Sequence, residues 1–356
     1  MKRWLISTLA LLIFSATLAG SPQTEGPPKG GHYIGSGPAE AGRYMGLEAA
    51  AKAGAELPRL RSLLVSHRGE LVLERYYGGA RATQTANIKS ASKSVIAALV
   101  GIAVARGQIK GLDQPIADFF PELAKDPENR KRQITIEDLL TMRSGLESTS
   151  GRGYGAWVQS PNWVRYALNR PLIDKPGTRV EYSTGTSHLL SAILTKATNT
   201  STWQFARESL AKPLGFTLSR WTQDPQGIYF GGNEMSMTPR QMVRFGELYL
   251  NDGRAGATQV LPKSWIDKTR VPRGKSRWGS DREYGYGFWI RDLAGYDSYY
   301  AWGYGGQFVF IVPDLQLVVV TTSRSDVSRE RRDHLGAIYD LVEQAVIPAI
   351  APRPPG

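Results

Sequence analysis

Apolar runs separated by polar turns predict β-strands near both ends of the chain. Between residues 60 and 77, two apolar stretches flank a polar segment with glycine at position 69. This pattern is typical of a β-hairpin. After Gly285 the chain again alternates short β-rich runs with turn residues, at 286–290, 299–302, 307–312 and 315–322. The two ends of the chain are therefore predicted to supply the strands.

Helical spacing of the apolar residues dominates the middle of the chain. Residues 94–106 are apolar on all sides, which predicts a buried helix that ends at Gly107. Thr135, with Asp138 three residues later, resembles a capping box, and Thr238 precedes an amphipathic stretch. The predicted helical segments after 113 are 134–140, 187–198, 203–210, 239–251 and 333–350.

The order of these elements predicts an α+β fold. Strands at both ends with helices between them favour one antiparallel sheet built from both chain ends and flanked by helices. The sheet part is predicted at about 43–112 and 271–350, and a mainly helical subdomain is inserted at about 113–270. Although the length alone suggests about two folding units, we interpret 43–350 as a single catalytic domain.

The first residues have the pattern of a secretory signal. Lys2 and Arg3 precede an apolar run, and small residues at 17–19 suit signal cleavage. The run is shorter than the ~20 apolar residues of a membrane span. We expect a signal peptide at 1–20, a Gly-, Pro- and Ser-rich leader at 21–42 and a periplasmic or secreted protein with no stable membrane span. An uncleaved N-terminal anchor is the alternative.

The composition excludes several kinds of reactive site and of binding partner. The 356 residues include no cysteine, so disulfides, thiolate nucleophiles and zinc-thiolate or iron–sulfur sites are excluded. The net charge is +12, but the basic residues are scattered and no nucleic-acid-binding motif accompanies them. No histidine spacing indicates a metal site. We expect a small-molecule substrate, no cofactor, no metal and no nucleic-acid partner, and the oligomeric state stays open.

Ser90 and Lys93 form an S-x-x-K tetrapeptide directly before the predicted buried helix. Residues three apart on a helix lie on one face, with their Cβ atoms ~5–6 Å apart, so the lysine amine can reach the serine hydroxyl. Burial disfavours the charged amine, and a neutral amine can accept the serine proton. The helix start also leaves backbone N–H groups free for an oxyanion. Alone, the tetrapeptide is common by chance, but its position at a buried helix start is unusual.

Two further segments can contribute to such a site. Tyr182 carries a phenol that both donates and accepts a proton, although a half-buried core tyrosine is the ordinary interpretation of that position. Residues 301–307 place three glycines inside a predicted strand, which marks close approach of a backbone or a ligand. A bulge or tight turn explains the glycines equally well.

The chain contains an S-x-x-K motif, then Y-S-x, then a glycine-rich strand. In the order of these motifs it resembles the serine β-lactamase and penicillin-binding protein superfamily. It is most similar to the class C-like esterases and the 6-aminohexanoate-dimer hydrolases. Three more stretches support the resemblance: DLLTMRSGL at 138–146, PG at 176–177 followed by YS at 182–183 and LL at 189–190, and KPLGF at 212–216. The resemblance covers most of residues 60–325 and implies a β-lactamase-like fold.

Carried over residue by residue, the resemblance implies Ser90 as the nucleophile, Lys93 as the base and Tyr182 as the acid/base partner. It implies an oxyanion hole made by the backbone N–H groups of Ser90 and Gln307. The substrate-binding residues implied around it are Thr184, Tyr304, Gly305 and Gly306. Trp302 is a further candidate, because the aromatic residues near the glycine-rich strand suggest an apolar pocket, although core packing explains most of them equally well.

Two departures from the family's pattern bear on the substrate. Thr184 stands where the true class C β-lactamases have an asparagine, and Tyr304 replaces the lysine of the K-T-G element. The cation that binds a penicillin or peptide carboxylate is therefore missing at that position. We expect an exported hydrolase of esters or short amides; a β-lactamase or D-Ala-D-Ala peptidase is the alternative.

Two other function classes remain. A Ser-His-Asp hydrolase needs a G-x-S-x-G turn, and Gly185-Thr186-Ser187-His188-Leu189 lacks the final glycine. The four histidines lie in the leader, a hairpin turn and helices, where a structural role is the ordinary one. A non-catalytic binding protein on the same fold is the last alternative, against which stands the presence of Ser90, Lys93 and Tyr182.

Overall fold

The computed structural model describes residues 44–275 and 282–351. The predicted signal peptide at 1–20 and the leader at 21–42 lie outside the described residues. In the part of the chain that the structure describes, no helix is both long and apolar enough to cross a membrane.

A seven-stranded antiparallel sheet forms the centre of the fold. The strands of the protein are β1 (Leu60–His67), β2 (Glu70–Tyr76), β3 (Ala86–Asn87), β4 (Ser236–Met237), β5 (Arg254–Ala255), β6 (Thr258–Gln259), β7 (Glu283–Tyr284), β8 (Trp289–Leu293), β9 (Tyr296–Gly303), β10 (Gln307–Val312) and β11 (Leu317–Ser323). The strand order in the large sheet is β2-β1-β11-β10-β9-β8-β7, so the N-terminal hairpin pairs with the last strand in the described residues. The predicted α+β sheet built from both chain ends is confirmed. Two small sheets pair β3 with β4 and β5 with β6.

The helices lie between the strands and at both ends of the described chain. They are α1 (Met45–Ala55), α2 (Ser92–Ala105), α3 (Ile136–Leu140), α4 (Tyr154–Val158), α5 (Trp163–Leu168), α6 (Thr184–Thr198), α7 (Thr202–Ala206), α8 (Pro239–Leu250), α9 (Lys263–Thr269), α10 (Arg331–Asp340) and α11 (Ile347–Ile350). π-helical turns extend α7 over Arg207–Ala211 and join α10 to α11 over Leu341–Val346. Residues 113–270 thus contain α3–α9 and only the short strands β4–β6.

Local sequence signals set several boundaries. Thr135 and Asp138 form both hydrogen bonds of a capping box at the start of α3, and Thr238 and Gln241 do the same for α8. The β1–β2 turn has positive φ angles at Arg68 (55°) and Gly69 (80°), as a two-residue hairpin turn requires.

Both faces of the sheet are covered. Along β10, Phe308 and Phe310 belong to one apolar core, whereas Val309 and Ile311 belong to the other. The first core also contains residues of α1, α10 and α11; the second contains residues of α2, α6 and α8. Because alternate side chains of a strand point to opposite faces, β10 is apolar at every position from Phe308 to Val312 and separates the two helical layers.

One predicted strand is displaced. The run at 286–290 was expected to be β-structure from its first residue, but β8 begins at Trp289. Gly287 has a φ of 74°, and a Cβ there would lie 2.7 Å from the Cβ of Ala97 and 3.0 Å from the carbonyl oxygen of Lys93. The segment therefore crosses α2 at close range before it joins the sheet.

Candidate active site

Ser90 lies in a 3-10 turn, Lys89–Ala91, directly before α2. Hydrogen bonds from neighbouring residues fix the conformation of this turn. Lys89 has a φ of 52°, and its N–H donates to Oδ1 of Asn87 at 2.9 Å, while the Asn87 amide donates to Glu234 at 2.7 Å. The hydroxyl of Ser92 donates to the Lys89 carbonyl at 2.7 Å. The tetrapeptide was predicted directly before a helix at 94–106, whereas α2 begins at Ser92, so Ser90 precedes the helix by two residues.

Lys93, in the first turn of α2, points its amine at Ser90. Nζ lies 3.1 Å from Oγ of Ser90 and donates to the carbonyl oxygen of Gly232 at 2.8 Å. The side chain is 2% exposed. Burial lowers the pKa of Lys93 from its usual 10.5 to about 7, because a low-dielectric surrounding disfavours the charged form. A substantial fraction of the amine is therefore neutral at physiological pH.

Tyr182 completes the cluster. Its hydroxyl is hydrogen-bonded to Ser90, and burial raises the pKa of Tyr182 above its usual range. Nζ of Lys93 lies 4.9 Å from the centroid of the phenol ring. The ring stacks on Trp289 at 5.5 Å and meets Tyr284 edge-on at 6.0 Å. The structure thus brings the three predicted residues Ser90, Lys93 and Tyr182 together.

Thr184 is the first residue of α6 and borders this cluster. Its hydroxyl hydrogen-bonds the Ser150 hydroxyl at 2.9 Å, and its N–H donates to the same oxygen at 2.9 Å. A Cβ built on Gly232 would lie 3.0 Å from Cγ2 of Thr184. Thr184 is therefore a neighbour of the segment that holds Lys93, and its hydroxyl already has a partner.

The glycine-rich segment forms the β9–β10 hairpin. Gly303 pairs with Gln307, and a Cβ on Gly303 would lie 2.0 Å from the carbonyl oxygen of Ile88. The end of β9 thus touches the chain two residues before Ser90. Gly305 and Gly306, with φ angles of 89° and 109°, approach another part of the fold: the segment at 323–325 that ends β11.

Gln307 and Trp302, which belong to the same hairpin, have different surroundings. The side chain of Gln307 bonds to the backbone of Ser323, donating to its carbonyl at 2.8 Å and accepting from its N–H at 3.2 Å. Trp302 stacks on Phe308 at 6.2 Å and meets Trp289 at 5.7 Å. Trp302 therefore extends the aromatic row that begins with Tyr182.

Gly232 and Asn87 are site residues that the sequence reasoning missed. Gly232 supplies the carbonyl that holds the Lys93 amine, and Asn87 anchors the turn that carries Ser90. The adjacent pair Gly231-Gly232 in an otherwise helical region was a visible signal of close backbone approach. Which side chain it approaches depends on contacts between residues 139 positions apart.

The described histidines bond to groups other than Ser90. His188 pairs with Asp224 at 3.0 Å, His67 with Tyr44 at 2.8 Å and His334 with the Ser323 hydroxyl at 3.0 Å. Burial lowers the pKa of His334 to about 4. His32 lies outside the described residues. The contacts of Ser90 thus favour a Ser–Lys–Tyr arrangement over a Ser–His–Asp one.

Comparison with known proteins finds one matching family. The sequence profile of the family described as Beta-lactamase matches residues 59–343. The protein Rv1367c of Mycobacterium tuberculosis is 33% identical over 151 residues, which are 36% of this chain and 37% of that protein. The chain therefore matches little more than a third of the length of this curated relative.

Solved structures share the fold over most of the chain. A candidate 6-aminohexanoate-dimer hydrolase from Bacillus anthracis has a TM-score of 0.65 at 20% identity, covering 84% of this chain and 82% of its own. EstCE1, a hydrolase with promiscuous acyltransferase activity, has a TM-score of 0.67 at 16% identity, covering 84% of this chain and 98% of its own. At these identities the likeness concerns the fold.

Proposed function

The chain belongs to the beta-lactamase family, and we propose that it is a serine hydrolase that cleaves ester or short amide bonds through an acyl-enzyme on Ser90. The observation that carries the proposal is the Lys93 amine, which is buried, has a pKa of about 7 and lies 3.1 Å from the Ser90 hydroxyl oxygen. A lysine with an ordinary pKa would be almost fully protonated at neutral pH and unable to accept the serine proton.

The opposite pKa shifts of Lys93 and Tyr182 divide the roles between them. Because the pKa of Tyr182 is raised, its phenol keeps its proton at neutral pH and serves as a donor. Because the pKa of Lys93 is lowered, its amine is the acceptor. Groups whose surroundings push their pKa values apart are suited to separate acid and base roles.

The reaction follows from this division. Oγ of Ser90 attacks the carbonyl carbon of the substrate while its proton passes to Nζ of Lys93. The bond to the leaving group then breaks, Tyr182 donates its proton to the departing oxygen or nitrogen, and Lys93 returns a proton to Tyr182. Water adds to the acyl-enzyme, giving up a proton to the basic pair, and the acid is released as Oγ regains its hydrogen.

Backbone N–H groups stabilise the negative oxygen in each step. One belongs to Ser90, in the turn directly before α2. We assign the second to Gln307 at the start of β10, by the resemblance to the family. The contact of its strand partner Gly303 with Ile88 supports this assignment, since it brings the β9–β10 hairpin to the turn that carries Ser90.

The substrate class rests on two side chains. Thr184 and Tyr304 stand where true β-lactamases and peptidases of the family have an amide and a cation, so a carboxylate-bearing β-lactam or peptide lacks two of its usual partners. Of the two structural neighbours, one is named as a 6-aminohexanoate-dimer hydrolase and the other as a hydrolase with promiscuous acyltransferase activity. These two names support an ester or a short amide as the substrate. The aromatic row of Tyr182, Trp289 and Trp302 lies beside the reacting centre.

Active-site labelling tests the proposal. A fluorophosphonate should label the wild type and the control Ser160→Ala, which loses a hydroxyl that donates to the Trp157 carbonyl. Ser90→Ala should take no label and lose hydrolysis of p-nitrophenyl esters by at least about 10³-fold, with an unchanged circular dichroism spectrum. Labelling of folded Ser90→Ala contradicts the proposal, and a folded wild type that takes no label favours the non-catalytic binding protein.

The same protein should be assayed on a substrate panel. We expect turnover of p-nitrophenyl esters or linear amide oligomers and slow or no turnover of nitrocefin. Efficient nitrocefin or D-Ala-D-Ala cleavage would instead favour the β-lactamase or peptidase alternative and would mean that other side chains replace the missing amide and cation.

A further inference from the structure

A fully buried acid–histidine pair lies behind the Ser90–Lys93 site. His188 on α6 and Asp224 both have 0% side-chain exposure, with Nε2 3.0 Å from Oδ2. The second carboxylate oxygen of Asp224 accepts the N–H groups of Gln226 at 2.8 Å and Ile228 at 2.9 Å. Burying a carboxylate is unfavourable unless such partners are present, so this pair is held in one arrangement.

The partners of the ring determine its tautomer. Nδ1 of His188 accepts the N–H of Gly231 at 3.2 Å. An accepting Nδ1 carries no proton, so we assign the proton of the neutral ring to Nε2, where it is donated to Asp224. Asp224 thereby keeps His188 in the one form that can bind Gly231.

The histidine ring is closed off from the reacting atoms. Trp157, Trp163 and Phe230 surround it with ring centroids 5.8, 5.5 and 5.9 Å away. His188 therefore has no part in proton transfer with a substrate, and its action on the site passes through its backbone partner.

That partner leads directly to the Lys93 amine. Gly231 is followed by Gly232, whose carbonyl accepts from Nζ at 2.8 Å. A Cβ on Gly231 would lie 2.4 Å from the Ser187 carbonyl oxygen, and one on Gly232 would lie 2.4 Å from Oγ of Ser187. The two glycines thus lie flat against α6, between His188 and Lys93, with no room for a side chain.

We propose that the Asp224–His188 pair is a positioning unit for the catalytic lysine: by fixing the Gly231-Gly232 segment against α6, it holds the carbonyl that aims Nζ of Lys93 at Ser90. The inference rests on the proposed function, in which Lys93 is the base. His188 and Asp224 are positioning residues and touch neither substrate nor Ser90. A displacement of a reacting group by about 1 Å can lower a rate by ~10²-fold, so the unit has a kinetic consequence.

Asp224→Asn is the sharpest variant, because it keeps the shape of the side chain. With Oδ1 still accepting from Gln226 and Ile228, the amide presents an N–H to Nε2, which moves the ring proton to Nδ1, where it faces the N–H of Gly231. Isosteric replacement of the acid in a Ser-His-Asp triad lowers kcat in the same way, through the wrong tautomer.

The test compares kcat/KM against pH for an ester substrate. Wild-type kcat/KM should rise with pH through about 7, as Lys93 becomes neutral. Asp224→Asn should lower the high-pH plateau about 10- to 100-fold, mainly in kcat, and move the midpoint of the rise by at least about half a pH unit. The control Ser191→Ala removes another buried bond from α6 to the same segment, to the Tyr229 carbonyl at 2.6 Å, and should keep the wild-type midpoint.

A second pair of variants covers the case in which Asp224→Asn does not fold. His188→Asn places an amide oxygen where Nδ1 was and can still accept from Gly231, whereas His188→Gln reaches only Asp224. His188→Asn should therefore retain at least about tenfold more activity than His188→Gln. Equal activities of the two His188 variants, or an Asp224→Asn pH profile that matches that of Ser191→Ala, overturn the positioning role.

The variant Ser90→Ala in the same assay separates this inference from the proposed function. If Ser90→Ala is inactive, the proposed function stands independently of the result for His188 and Asp224. If Ser90→Ala retains activity, the proposed function itself has failed.

Discussion

At the scale of single residues, the site depends on a charge that the fold suppresses. Lys93 is 2% exposed, and burial alone lowers its pKa to about 7. By contrast Lys131, 5% exposed, faces Asp126 at 2.9 Å and the carbonyl of Leu168 at 3.0 Å. One buried lysine is thus ion-paired, and the other is kept ready to lose its proton.

This difference predicts that Lys93→Met stabilises the protein while it abolishes hydrolysis. In the unfolded chain the amine has its usual pKa of 10.5, so between pH 10.5 and 7 the unfolded state binds a proton that the folded state lacks. The buried Lys93 amine therefore begins to destabilise the folded state as the pH falls below 10.5, and this destabilisation reaches its full size near pH 7. Chemical denaturation at pH 7 should show a gain in the free energy of unfolding of ~2–5 kcal/mol, and a smaller gain at pH 9.

Lys131→Met is the matched control. Removing that ammonium leaves the nearly buried Asp126 without its ion-pair partner, so this variant should be less stable than the wild type. If the gain in the free energy of unfolding of Lys93→Met were the same at pH 7 and at pH 9, it would have to come from packing. That result would contradict a lowered pKa of Lys93 in the folded protein.

At the scale of elements, the site is assembled by close backbone contacts. The β9–β10 hairpin reaches the Ser90 turn at Gly303, and the 286–288 segment crosses α2 at Gly287. Both glycines leave no space for a Cβ. The distance between the hairpin and the turn is therefore determined by backbone atoms, which cannot adjust by changing a rotamer.

Gly303→Ala should for this reason move the hairpin away from Ser90. A Cβ 2.0 Å from the Ile88 carbonyl oxygen forces a shift of the backbone, and overpacking of this kind destabilises by about 1–3 kcal/mol. We expect kcat for ester hydrolysis to fall at least about tenfold, measured on protein that circular dichroism shows to be folded. Gly336→Ala, in α10 with open space around the new Cβ, should keep wild-type kcat; equal kcat for both variants would exclude a role for the close contact.

The sequence predicted the elements best where the signal is local. The capping boxes of α3 and α8, the β1–β2 turn and the buried helix after Ser90 each depend on residues within a few positions of one another. The start of β8 was misplaced, since it depends on how Gly287 packs on α2. The contact of Gly232 with Lys93 was missed, because it joins a loop to a helix 139 positions away.

At the scale of the whole molecule, both chain ends are needed for one sheet. β1 pairs with β2 on one side and with β11 on the other, with Leu60 opposite Ser323. This architecture was predictable because strand-like runs cluster at the two ends of the sequence. The order of the strands within the sheet was not, since the pairing partners of a strand are non-local.

The proposed export also concerns the whole molecule. Expressed from Met1 in a Gram-negative host, the protein should appear in the periplasmic or secreted fraction with a new N-terminus near residue 21, as determined by N-terminal sequencing. Replacing Lys2 and Arg3 by glutamate, which reverses the charge before the apolar run, should reduce export. Recovery of the intact N-terminus in the membrane fraction would show that the segment is kept as an anchor.

The pairing of β1 with β11 has a consequence for biosynthesis. When the ribosome has completed the first hairpin, its inner edge stays without a partner until residues 317–323 have been added, and at ~5–20 residues per second this takes at least about ten seconds. The nascent chain cannot close its central layer during that interval. An unfinished chain is the form that a secretion channel threads, so this delay in folding suits the export that the first 20 residues predict.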